Sequence, residues 1–203
     1  MILNTDIALI KFLKTFTSVL LLSIISLNAQ EKTNLQVFNE LVDSSVINAA
    51  SYIPDNVRDI KLYLDQGTFS IFNSEIITGL TKRGYRLVNE DSSFEIQFSF
   101  NNAVTTYDEM FRDGFLGEYF VLRKISLSGS YNFSGKKIFT QDFSYLLQDT
   151  VGVDDITLLE NSAYPFTQGK LPPEPFFSGI LEPLVAVGTA ALAVILFFTI
   201  RSK

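Results

Sequence analysis

The chain of 203 residues contains no cysteine, no histidine and no tryptophan. Without cysteine there is no disulfide framework, no thiolate nucleophile, no zinc knuckle and no lipid-modified cysteine. Without histidine the commonest general base and the commonest metal ligand are both missing. A Ser-His-Asp triad, a Cys-His dyad and a histidine-ligated metal are therefore excluded. Positive charge is in short supply too: 16 Lys and Arg against 22 Asp and Glu leave a net charge of −6, the wrong sign for a phosphate-backbone binder. No nucleic-acid partner, cofactor or metal is expected. No repeat with a period of roughly 20 to 50 residues is present, which sets aside solenoids and propellers.

What is present begins with two apolar ends. Lys11 and Lys14 precede an uncharged run, Phe16 to Leu27, and the small residue Ala29 follows. This is the pattern of a secretory signal peptide over residues 1–29. Its twelve-residue apolar run is shorter than the roughly 20 residues that cross a bilayer core. The C-terminal run is longer. Leu184 to Ile200 is uncharged, and Ile180 and Leu181 extend it upstream. From Ile180 to Ile200 a helix spans roughly 31 Å, about one hydrocarbon core. Arg201 and Lys203 follow it while Glu174 and Glu182 precede it, so the positive-inside rule places the C-terminus in the cytoplasm. A transmembrane helix over 180–200 and a cytoplasmic stub over 201–203 are expected, with the domain before them exported. Within the span, Ala186 and Ala190, and Thr189 and Ala193, stand four apart. That spacing of small residues permits close packing with a second copy of the helix.

Residues 30–164 read as an exported α+β domain. Leu35, Phe38, Leu41, Val42, Val46 and Ala49 recur at helical spacing, with Asn34 as the expected N-cap. Asp59 to Leu64 alternates as a short strand, and Phe69 to Arg83 is a second helix that ends at Gly84. Phe94, Ile96, Phe98 and Phe100 then occupy one face of a strand. In a later strand Val121, Arg123, Ile125 and Leu127 share a face. Asn132 to Gly135 supplies a turn, and Lys136 to Leu147 returns as the partner strand. The order predicts a mostly antiparallel sheet of four to five strands with two helices packed on one face. Residues 165–179, with Pro172, Pro173 and Pro175, read as a stiff tether close to the bilayer.

Carboxylates are the only acid/base groups in quantity. Asp149, Asp154 and Asp155 form one group in sequence, and Asp108, Glu109 and Asp113 another. A pair of them could hydrolyse a glycan, one as acid and one as base or nucleophile. Asp at helix starts and in loops is equally well explained by capping and solvation. An EF-hand frame begun at Asp108 puts Met110 and Arg112 at ligand positions, which excludes it. The segment 105–118 is read as a polar and aromatic excursion between strands. There Tyr107, Met110, Phe111, Arg112, Phe115 and Tyr119 have the composition of a protein interface, although the same side chains also fit a loop folded onto its own sheet.

A helix ending in glycine, the strand Gly84 to Val88, the alternating strand Phe94 to Phe100 and the long hairpin Ile125 to Phe139 together resemble a known group. The pattern is similar, over residues 57–150, to the small exported α+β domains of bacterial envelope-assembly proteins. Examples are the curli secretion channel, the penicillin-binding-protein activator lipoproteins and the TolB N-terminal domain. The signal ending Leu27 to Gln30 and the composition rich in Ile, Asn and Phe resemble Bacteroidota proteins. The chain differs from such domains in its C-terminal span and its lack of cysteine. The resemblance implies an adaptor without catalysis of its own, and it carries no site residue. The expected function is thus a binding module anchored in the inner membrane with its domain in the periplasm. Its expected partners are other envelope or membrane proteins of an assembly or secretion complex. The competing expectation is a carboxylate-dependent glycan hydrolase.

Overall fold

The structure, a computed structural model, describes residues 31–64, 67–89, 92–114, 117–175 and 178–201. The expected signal peptide over 1–29 and the expected contact residue Phe115 lie outside them. The first helix, α1 (Asn34–Ala50), begins with a capping box. The Thr33 hydroxyl accepts from the Gln36 backbone N–H at 3.2 Å, and the Gln36 side chain accepts from the Thr33 N–H at 2.8 Å. Thr33, rather than the expected Asn34, is therefore the cap. With those donors satisfied, the Asn34 side chain turns inward and is fully buried.

Strand β1 (Asp59–Tyr63) leads through a 3-10 turn (Ser70–Phe72) into helix α2 (Asn73–Lys82). Gly84, at φ 87°, reverses the chain where an L side chain would be strained. The two-residue strand β2 (Arg86–Leu87) then pairs parallel with β1, and Arg86 holds its register partner Asp59 through two hydrogen bonds of 2.6 and 2.9 Å. Three long strands follow: β3 (Glu95–Arg112), β4 (Tyr119–Ser134) and β5 (Ile138–Gly152).

The sheet order is β2-β1-β3-β4-β5. The α+β class holds, but the sheet is mixed rather than mostly antiparallel, because β1 pairs parallel with both β2 and β3. The physical reason is α2, a crossover that returns the chain in its original direction. Only the pairings of β3 with β4 and of β4 with β5 are antiparallel.

Burial along β4 alternates without a break from Val121 to Phe133, so one face of the sheet is covered and the other open. The covered face meets Phe38, Val42 and Val46 of α1 and Ile76 and Leu80 of α2 in one core with Ile96, Phe98, Ile125, Leu127, Tyr131 and Phe133. Phe72 and Phe100 meet edge-on in that core at 5.3 Å between ring centres. A smaller cluster of Tyr107, Val121, Val151, Ile156 and Leu159 fills the sheet's other end under the short helix α3 (Ile156–Leu159).

Two boundaries differ from expectation. The segment 105–118 is not an excursion throughout, because β3 continues to Arg112 and pairs with β4 from Tyr119. Irregular register between Phe100 and Asn102, and again between Asp108 and Phe111, interrupts the alternation. The domain also extends past residue 164. Thr167 is fully buried and Phe166 packs edge-on against Phe38 at 5.0 Å, so 165–169 is a strap on the domain and not part of a tether. The last helix, α4 (Ser178–Arg201), contains an 18-residue stretch, Pro183–Ile200, of mean hydropathy 2.4. None of that stretch is buried by the rest of the chain.

Candidate functional site

A buried polar clamp organises the end of the sheet beyond the main core. Tyr107 and Arg123 are register partners on β3 and β4, both facing inward. The Arg123 guanidinium, 1% exposed, donates from Nε to Asp149 Oδ1 at 2.8 Å and from Nη2 to Asp149 Oδ2 at 2.5 Å. Its Nη1 donates to Asn34 Oδ1 at 2.8 Å. Asn34 Nδ2 in turn donates to the Tyr107 hydroxyl at 2.9 Å and to the Thr167 carbonyl at 2.7 Å. The start of α1, two strands and the strap are thereby joined through one asparagine, and Arg123 carries the network on to β5. On the strap, Thr167 Oγ1 donates to the Tyr164 carbonyl and Thr105 Oγ1 donates to the Phe166 carbonyl. Burial, with help from the Glu160 carboxylate, pushes the Tyr107 phenol up to about 12.

The clamp settles where the expected contact residues go. Tyr107, 3% exposed and bonded internally, is not available to a partner. Met110 is half-buried beside the small cluster. Phe111 is 45% exposed and stacks on Phe120 at 6.0 Å between ring centres. Arg112 donates from Nε to the Gly117 carbonyl at 2.8 Å, and its guanidinium lies 5.0 Å from the Tyr119 ring centre. Phe111, Arg112 and Tyr119, with Phe120, therefore form the end of a β-hairpin.

The carboxylates do not converge. Asp149 is committed to Arg123, and Asp108 to Lys124 Nζ at 2.8 Å, which holds that ammonium charged to higher pH. Among the described residues no group of three or more acidic side chains is placed to hold a metal ion.

At the other end of the sheet a cleft of about 380 Å³ lies between the turn after α1 and the β4–β5 turn. Tyr52, Phe94 and Phe139 give it an aromatic lining, and Lys136 and Lys137 stand beside it. Neither the cleft nor the clamp is legible as a site in the sequence. The signal for the clamp was Arg123, a lone charge among apolar residues on an inward face. β5 forms the long edge of the sheet, with Leu146 59% exposed and Ile138 82% exposed. In α4, Ala186, Thr189, Ala190 and Ala193 are all exposed, and Thr189 bonds back to the Val185 carbonyl at 2.9 Å.

No protein-family model matches the chain, and no curated protein does. Among solved structures, a minor lipoprotein from Acinetobacter baumannii is similar with a TM-score of 0.33 and 13% identity, over 50% of this chain and 70% of that one. A likeness that loose carries no functional weight.

Proposed function

We propose that the protein is a single-pass, membrane-anchored binding module whose α+β domain is exported and serves as an adaptor or subunit of a cell-envelope assembly or secretion complex. The observation that carries this reading is α4: an apolar stretch of membrane-crossing length, Pro183–Ile200, left wholly uncovered by its own chain. A core helix of that character would be buried. The charge pattern around the span favours a domain in the periplasm and a C-terminus in the cytoplasm, with the inner membrane between.

Partners dock on the long edge of the sheet. Among the described residues β5 is the last strand of the sheet, and along its fifteen residues it offers the outward backbone groups on which an extended segment of another protein adds a strand. Exposed Leu146 supplies an apolar contact at mid-strand. The hydrolase reading finds less support, since Asp149 and Asp108 are already held by cations. A photoreactive residue at Leu146, introduced in the full chain in its native membrane, tests the adaptor role. The expected result is a discrete crosslinked species to one envelope protein. With the probe moved to Ser144, the same species should form and then disappear when Leu146→Lys is added. A chain that stays monomeric under crosslinking from every β5 position would count against the reading.

A further inference from the structure

We infer that the end of the β3–β4 hairpin rests in the interfacial layer of the bilayer that holds α4, with Phe111 and Phe120 among the lipid headgroups. This rests on the membrane-anchored reading above and adds a lipid-binding surface to it.

The first argument is where the chain leaves the domain. Asn34, at the start of α1, bonds to Tyr107, Arg123 and the Thr167 carbonyl. Two residues further on, Gly169 lies so close to the Tyr107 ring that a Cβ there would be 2.7 Å from it. The strap therefore ends at the level of the Tyr107–Arg123 register pair.

The second argument is length. Residues 170–177 separate the strap from the start of α4 at Ser178. At the roughly 3.1 Å per residue of an extended proline-rich chain, that length reaches at most about 25 Å. From the register pair to the hairpin end, Tyr107 to Arg112 is five residues, roughly 17 Å at about 3.4 Å each. In the other direction, Arg123 to Ser134 is eleven residues, roughly 37 Å. The tether is long enough to set the hairpin end on the membrane and too short to run back along the sheet and set the far end there.

The third argument is chemistry. Phe111 and Phe120 stack and remain partly exposed, while Tyr119 carries Arg112 over its ring. Aromatic rings flanked by an arginine match the interface between lipid and water, where the ring is apolar and the charge stays wet. Asp113 and Glu118 both stand exposed at the turn, so the surface suits zwitterionic rather than anionic headgroups.

The absence of tryptophan makes the test clean. Phe111→Trp and, separately, Phe120→Trp and Ile138→Trp each give the full chain a single indole, the last at the far end of the sheet. Each variant is reconstituted in phosphatidylcholine vesicles, with and without chain-brominated phosphatidylcholine, and floated on a density gradient. The expected result is that all three float. Emission from the Phe111→Trp and Phe120→Trp chains then shifts to the blue and is quenched by brominated lipid, as expected of an interfacial ring. Emission from the Ile138→Trp chain stays red-shifted and open to quenching by iodide. Floating vesicles in which the two hairpin variants both behave like the Ile138→Trp control would overturn the lipid contact and leave the anchor intact. Failure to float would overturn both.

Discussion

Asn34 joins four parts of the fold through one amide, with both donor hydrogens and its oxygen in use. Asn34→Ala leaves the Arg123 Nη1 and the Thr167 carbonyl without that partner in a buried place. A loss of about 2 to 3 kcal/mol of stability follows, read from the urea midpoint. Asp149→Asn removes the anion from a buried guanidinium and is expected to lose about 3 kcal/mol or more by the same measurement. Asp154→Asn and Asp155→Asn remove exposed charges without such a role and should stay within about 0.5 kcal/mol of the parent. Of these three, Asp154 and Asp155 therefore test the hydrolase reading without the loss of stability that Asp149→Asn brings. Tyr107 makes the clamp sensitive to alkali. Its phenol ionises near 12 in the fold against an ordinary 10.0, so the unfolded chain gives up its proton first as pH rises. The stabilisation is complete below pH 10 and is lost between pH 10 and about 12. Burial raises Tyr131 in the same direction. Urea melts at about pH 9 and about pH 11 should show a smaller alkaline loss in Tyr107→Phe than in the parent.

At the scale of elements, legibility follows the regularity of burial. Helices α1 and α2 and the strand starting near Phe94 were readable because each presents a largely apolar face at regular spacing. Beyond Val104 the same strand was not readable. The irregularity before Asn102 moves the inward positions from even numbers (Ile96, Phe98, Phe100) to odd ones (Ala103, Thr105, Tyr107), so alternation across the whole segment disappears. The parallel pairing of β1 was hidden for another reason, since periodicity records which face is buried and not which strand lies alongside. The candidate contact set was half legible: Phe111, Arg112 and Tyr119 do sit at the hairpin end, whereas Tyr107 belongs to the clamp. Gly129 stands opposite the irregularity, where a Cβ would run into the Ser99 carbonyl and the Phe143 ring. Backbone has no rotamer with which to give way, so Gly129→Ala is expected to lose about 2 kcal/mol or more in a thermal or urea melt.

The whole molecule divides at a place that composition misplaces. Proline and polar residues after Asn161 suggest that the tether begins at 165, yet the chain stays bound to the domain to Gly169. Phe166 contacts the rings of Phe38, Phe69 and Phe72, and the Thr167 hydroxyl closes a small loop by accepting from the Asn161 N–H while it donates to the Tyr164 carbonyl. The strap is thus the final piece of the main core and the first piece of the route to the membrane, so tension along the tether bears first on the Gly169 N–H bond to the Glu160 carboxylate and then on the Asn34–Thr167 bond. Two shortened chains separate these roles. A chain of residues 31–170 keeps every strap contact and lacks α4, and is expected to be monomeric and cooperatively folded in buffer without detergent. A chain of residues 31–164 loses the Phe166 ring and the Thr167 carbonyl that Asn34 requires. Truncation of a packed aromatic together with a buried hydrogen bond sets an expected loss of about 4 kcal/mol between the two, measured as the difference in urea unfolding free energy. Equal stability of the two chains would mean that the strap does not contribute to the core, and the level at which the tether leaves the domain would then have to be placed nearer residue 164.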